Sequence, residues 1–213
     1  MFCDVKGGSM MSILFCVVMG SSDMIKLPDP EFTGRSIEEC IELRRSVRSY
    51  QDKALTLQQI SNILWSAQGL TEDKYGFRAV PSAGATYPLV VFIANKDGLF
   101  RYIPESHALK HEIKRDIRKD IANAALGQGF INDAGVVVII TAIYERTTQR
   151  YGERGVRYVH IEAGHCAQNI HLEAVALGLG SVPVGAFNDE KLSKLLKLER
   201  EKPLYVIPVG HTR

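Results

Sequence analysis

Residues 135–187 read GVVVIITAIYERTTQRYGERGVRYVHIEAGHCAQNIHLEAVALGLGSVPVGAF, and successive parts of the stretch follow different rules. Residues 136–142 are continuous, apolar and largely β-branched, the pattern of a strand buried on both faces. The tract from about 156 to 177 reads as one long helix. Its small residues Ala163, Gly164, Ala167, Ala174 and Ala176 permit close packing against a neighbour. Gly178 and Gly180 stop it in the manner of C-cap glycines, and residues 181–187 form another strand or extended run.

Outward from this segment, helices and strands alternate without a regular βαβ repeat, which selects an α+β fold class with a central mixed sheet flanked by helices. Ser36 with Glu39, and Thr56 with Gln59, have the spacing of capping boxes and open two helices. Ile37, Cys40, Ile41 and Val47 supply the apolar side of the first. Leu57, Ile60, Ile63, Leu64 and Ala67 supply that of the second, which Gly69 closes. Residues 27–34 are an extended lead-in and 75–88 a loop. A hairpin spans 89–94 and 99–103 around turn chemistry at 95–98. A charged helix is expected over about 106–119, followed by a short one through Ala125. A short helix over 189–198 and a last strand over 204–209 complete the chain.

The chain of 213 residues fits one domain, read as 24–213. Residues 10–19 form an apolar run too short to span a bilayer, so 1–23 reads as a leader or an arm. The remainder reads as cytoplasmic, with export through 1–23 as the alternative. Lysine plus arginine total 26 against 24 acidic residues, a balance that argues against a dedicated nucleic-acid binder. The four cysteines, Cys3, Cys16, Cys40 and Cys166, form neither a disulfide framework nor a zinc spacing. His160 and His165 face different sides of a helix, so no metal site is expected there.

Three stretches could carry chemistry. Arg44, Arg45, Ser46 and Arg48 are the densest cationic cluster. Arg44 and Arg48 share a face if the first helix continues, and guanidinium forks suit phosphate oxygens. Taken alone, the cluster is more simply explained as a solvated helix end. The short side chains of Pro81, Ser82, Ala83 and Gly84 let backbone approach a flat ring, although a tight turn before a strand needs no more. Gly178–Gly185 follows a helix and precedes a strand, the reverse of a phosphate-loop order. Function there is assigned to the backbone amides of Val184 and Gly185. Lone histidines such as His107, His111 and His171 read as ordinary polar residues.

RRSVRSY (44–50), PSAGATYP (81–88), YGERGVRYVHIEAGHCAQN (151–169) followed by GLGSVPVG (178–185), and IPVGHTR (207–213) occur in that order. They resemble the FMN-dependent nitroreductase superfamily, and closely its SagB-type dehydrogenase branch, from about Met24 onward. The resemblance implies a homodimer with FMN at the subunit interface. Arg44, Arg45 and Ser46 would then hold the flavin phosphate and ribityl chain, with Arg48 near N1 and O2 of the ring. The loop Pro81, Ser82, Ala83 and Gly84 would approach the ring from the partner. Pro183, Val184 and Gly185 would line it with a backbone N–H toward N5, and Arg213 with His211 would complete the phosphate site. The implied reaction passes hydride from NADH or NADPH through N5 to a small acceptor such as a nitroaromatic or quinone. Alternatives are a flavin dehydrogenase acting on a peptide or small molecule, and a non-catalytic flavin-binding scaffold. Azole-forming members carry Lys-Tyr where this chain has Arg150 and Tyr151. Arginine stays protonated and cannot be a general base, which leaves Tyr151 as the candidate catalytic side chain. The sequence also lacks the C-terminal arm that wraps the partner in many members, so a differently held dimer is expected.

Overall fold

The computed structural model describes residues 23–72 and 74–213; the apolar run at 10–19 lies outside them. In chain order the elements are β1 (Met24–Lys26), α1 (Ile37–Leu43), α2 (Leu57–Gln68), β2 (Leu70–Glu72), β3 (Phe77–Arg78), β4 (Leu89–Asn95), β5 (Gly98–Ile103) and β6 (Ala108–Ile113). There follow α3 (Arg118–Ala124), α4 (Phe130–Asp133), β7 (Val136–Ala142), α5 (Glu145–Tyr151), α6 (Arg154–Ala176), β8 (Gly180–Ser181), α7 (Asp189–Leu196) and β9 (Lys202–Gly210). Seven strands make one sheet in the order β1-β6-β5-β4-β7-β9-β8. Its ladders are antiparallel, and the parallel pairing is the isolated bridge Ser46–Ser181.

β7 shows why the fold is layered. All seven of its residues are buried. Val136, Val138 and Ile140 face a core shared with α2 and α6. Val137 and Ile139 face the opposite core, shared with α3 and α7. Strand alternation therefore feeds two apolar layers at once, and each fully buried isoleucine contributes roughly 1.5–3 kcal/mol. Ala163, Ala167 and Ala174 of α6 are buried as expected, whereas a Cβ added at Gly164 would meet open space. The close approach is made at Gly155 instead, where a Cβ would come within 2.9 Å of the Thr148 backbone in α5. No helix among the described residues is long and apolar enough to cross a membrane.

Three expectations are corrected. Residues 108–113 are strand β6, not the middle of a charged helix, and helix begins only at Arg118. His107, in left-handed conformation at φ 44°, turns the chain back so that β6 pairs with β5 on one side and β1 on the other. Closing the open edge of β5 outranks the weak local helix propensity of this charged stretch. Helix α1 stops at Leu43, so Arg44 and Arg48 do not share a helical face. Within α1 only Cys40 is buried; Ile37 and Ile41 are 54% and 57% exposed and do not face the core.

Candidate functional site

Both predicted capping boxes form, and the first fixes where α1 starts. Arg44 caps it with its N–H on the Cys40 carbonyl. Beyond it the chain runs extended and is tied down by distant backbone. Val47 N–H donates to Ser181 O at 3.0 Å, Gln51 N–H to His211 O at 2.8 Å, and Arg213 N–H to Ser49 O at 3.4 Å. Gly180 permits this convergence, because a Cβ there would stand 2.7 Å from Thr212 and 2.8 Å from Val47. Arg44, Arg45, Ser46, Arg48 and Arg213 thus gather at one end of the molecule, beside β8.

His171, on α6 and only 3% exposed, orients this cluster. Its Nε2 lies 3.2 Å from an Arg44 guanidinium nitrogen and its Nδ1 2.6 Å from Ser181 Oγ. A guanidinium only donates, so Nε2 accepts, the proton sits on Nδ1, and the ring is neutral. Burial, reinforced by the Arg44 charge, pushes the imidazole down to about 4. Arg45 bends back to donate to the Glu42 and Arg44 carbonyls, both at 2.7 Å, and so caps the end of α1. The Arg48 guanidinium lies 5.9 Å from the Phe130 ring centroid. The His211 ring engages the Ala54 backbone beside Lys53, and its buried Nε2 has no partner. Among Pro183, Val184 and Gly185, proline has no N–H and Val184 spends its own on Val206 O at 2.8 Å. Exposed Gly185 is the member of that trio left to donate.

The second group forms around the 81–87 loop. Gly84, at φ +61°, lies so close to α5 that a Cβ would come within 2.5 Å of the Tyr151 hydroxyl and 2.7 Å of Arg150. Arg150 donates to Gly84 O at 3.2 Å and Arg146, one turn earlier, to Tyr87 O at 3.0 Å. Ala85 and Tyr87 also have positive φ, a strain that these clamps sustain. Ser82 Oγ accepts from Tyr87 N–H at 2.9 Å and its hydroxyl reaches Glu162 below. Glu162 is 2% exposed, its Oε1 has no partner, and burial pushes its carboxyl up to about 7 despite Ser82 and Arg78.

Glu162 and His171 mark how the two groups are related. They are nine positions apart on α6, which is about 13 Å along the axis and roughly two and a half turns. The carboxyl and imidazole therefore leave the helix on opposite faces, so one copy does not converge the loop and the arginines on a single cleft. A cleft of about 390 Å³ between the lead-in, α1, α2 and α6 is lined by neither group. No cluster of three metal-ligating side chains occurs among the described residues.

A family model described as the Nitroreductase family matches residues 41–211. A Methanocaldococcus jannaschii protein named as a nitroreductase is 47% identical over 198 residues, which cover 90% of this chain and 98% of that protein. The chain belongs to the nitroreductase family. The crystal structure of a Ralstonia eutropha protein of that description superposes with TM-score 0.82 at 29% identity, covering 91% of this chain and 92% of its relative. The microcin B17-processing protein of Escherichia coli is 23% identical over 157 residues, 68% of this chain and 58% of its own length. The E. coli microcin synthetase complex shares the fold at TM-score 0.71 and 24% identity, covering 80% of this chain and 70% of the matched one. The family match makes the chain an oxidoreductase by descent, with the α+β architecture described above.

His171 reads in the sequence as an ordinary polar residue, and Glu162 and Arg146 carry no signal there. Each is a single polar residue on a helix, with no spacing pattern, and acquires its role only through contact with residues far away in the chain.

Proposed function

We propose that this nitroreductase-family chain is an FMN-dependent oxidoreductase that passes hydride from NADH or NADPH to a small acceptor such as a nitroaromatic or quinone. It would act as a homodimer with the flavin between copies. The observation that carries the reading is the cationic segment Arg44–Arg48. There, a buried neutral histidine fixes one guanidinium while Ser46, Arg48 and Arg213 stay exposed beside it. That donor set fits a phosphate ester: several guanidiniums and a hydroxyl, charged at any working pH. When bound, the flavin supplies the hydride-accepting atom, and the protein orients it and tunes its potential. Arg44, Arg213 and Ser46 would hold the phosphate. Arg48 would lie along the ring edge that becomes negative on reduction, and Gly185 N–H would donate to the ring. The Pro81–Gly84 loop of a second copy would cover the ring face, since the loop and the arginines of one copy diverge around α6. Uncovered apolar side chains on α1, Ile37, Ile41 and Leu43, each more than half exposed, supply surface for such a contact.

The test is a visible spectrum of purified protein, followed by anaerobic addition of each nicotinamide. The expected result is a yellow protein whose absorbance bleaches with at least one of them. Colourless protein that refuses added FMN contradicts the reading.

Similarity to the microcin-processing protein favours a second reading, dehydrogenation of a peptide or small molecule. Against it stands Arg150, a permanently charged group engaged with Gly84 O. Tyr151, packed over the same glycine, would be its proton donor. A flavin that stays oxidised with both nicotinamides favours this alternative.

A further inference from the structure

On the other side of the 82–87 loop, against the β4–β5 hairpin, lies a separate cavity of about 90 Å³. Its charged and polar lining is Gln68, Arg78, Arg101, Glu105, Arg146 and Tyr102, whose hydroxyl is engaged with His107. Three guanidinium groups thus meet one carboxylate. Glu105 binds Arg78 at 2.7 Å, and Arg101 is paired with Glu201 at 3.2 Å. Arg146 has no carboxylate partner among the described residues and is held only by the Tyr87 carbonyl. Burial and the neighbouring Arg78 and Arg101 charges lower its affinity for its proton.

The buried donors point the same way. Gln68 is 1% exposed, and its amide orientation is fixed because Oε1 accepts from Arg78 at 3.0 Å. Its Nε2 meets no oxygen or nitrogen acceptor and has only the weakly accepting Cys166 thiol beside it. Arg78 Nε is buried and equally unpartnered. Under-satisfied buried donors are rare in folded proteins, and two of them belong to residues lining this one cavity. The lining has donors and positive charge in excess of its acceptors, Glu105 and the Gln68 carbonyl, both of which Arg78 already engages.

We propose that this cavity is an anion subsite that takes one phosphate or carboxylate group of a small molecule. Guanidinium forks match the paired oxygens of either group. The volume admits such a head group, while a whole drug-sized ligand needs a pocket of roughly 300 Å³ or more. Arg146 reaches the Tyr87 carbonyl and Arg78 stacks 4.7 Å from the Tyr87 ring, so the subsite shares a wall with the 82–87 loop. The inference rests on the cavity alone and holds whether or not that loop faces a flavin.

The test is calorimetric titration of the full chain with inorganic phosphate in low-salt buffer. Wild type is expected to bind saturably. Arg146→Met should weaken binding by roughly tenfold or more, the loss of one charge-assisted contact. Glu105→Gln, which removes the competing carboxylate, should tighten it several-fold. A merely structural role for these residues does not produce opposite signs, and Glu105, 63% exposed, keeps the test informative if the arginine variant fails to fold. Competition then identifies the source. Displacement of phosphate by NADPH and not NADH assigns the subsite to the 2′-phosphate of the nucleotide. Displacement by neither assigns it to a free anion. Absence of saturable binding overturns the proposal. So does binding that survives Arg146→Met but disappears in Arg44→Ala, which would belong to the 44–48 segment.

Discussion

Burial holds the Glu162 carboxyl up at about 7 and, with the Arg44 cation, the His171 imidazole down at about 4. Glu162 binds its proton more tightly in the folded state. Its contribution to stability is therefore complete below its unfolded value near 4.3 and is lost as pH rises through 7. For His171 the folded value lies below the unfolded one near 6.5, so its contribution is complete above 6.5 and is lost as pH falls through 4. Between about pH 4.5 and 6.5 the two oppose each other, each worth roughly 3–4 kcal/mol over its full range. Urea midpoints at pH 5 and pH 7 should unmask them. Glu162→Gln is expected to gain stability on going from pH 5 to 7 relative to wild type, and His171→Asn to lose it; two variants that track wild type at both values contradict the assignment. The motif around Arg44 was legible in the sequence, because clustered arginines next to a serine have a chemical meaning on their own. The histidine that aims Arg44 was not legible, since it sits 127 residues away and a lone histidine on a helix carries no pattern.

At the scale of elements, local rules succeeded where local interactions decide. Ser36 and Thr56 cap as their spacing requires, β7 is buried on both faces, and the 89–103 hairpin forms. They failed where distant backbone decides. β6 is a strand because β5 and β1 need a partner, and the chain leaves α1 after Leu43 because Ser181, His211 and Arg213 engage the segment that follows. Gly180 is the point where three stretches meet, so Gly180→Ala should cost about 1–3 kcal/mol by overpacking and weaken flavin retention as well. Thr56→Ala is the control. It removes a cap far from the cluster, should cost about 1 kcal/mol, and should leave flavin retention unchanged. Thermal unfolding with and without added FMN separates the two. Equal effects of both variants on retention would remove the convergence at Gly180 from the account.

For the whole molecule, the arginine cluster and the 82–87 loop lie on opposite faces of α6, so the proposed cofactor site is completed only by a second copy. Sedimentation should therefore find a dimer. Ile41→Gln, on the exposed face of α1, should shift it toward monomer and reduce flavin content although every arginine remains; a monomer that retains flavin fully argues for a site within one copy. The central claim is the phosphate grip, and the most direct measurement is titration of flavin-free protein with FMN and, in parallel, with riboflavin, which lacks the phosphate. FMN should bind at least roughly tenfold more tightly, as expected when a charge-assisted contact worth about 1.5–3 kcal/mol is present, and Arg44→Ala should erase most of that difference. Equal affinity for the two flavins in wild type would contradict it.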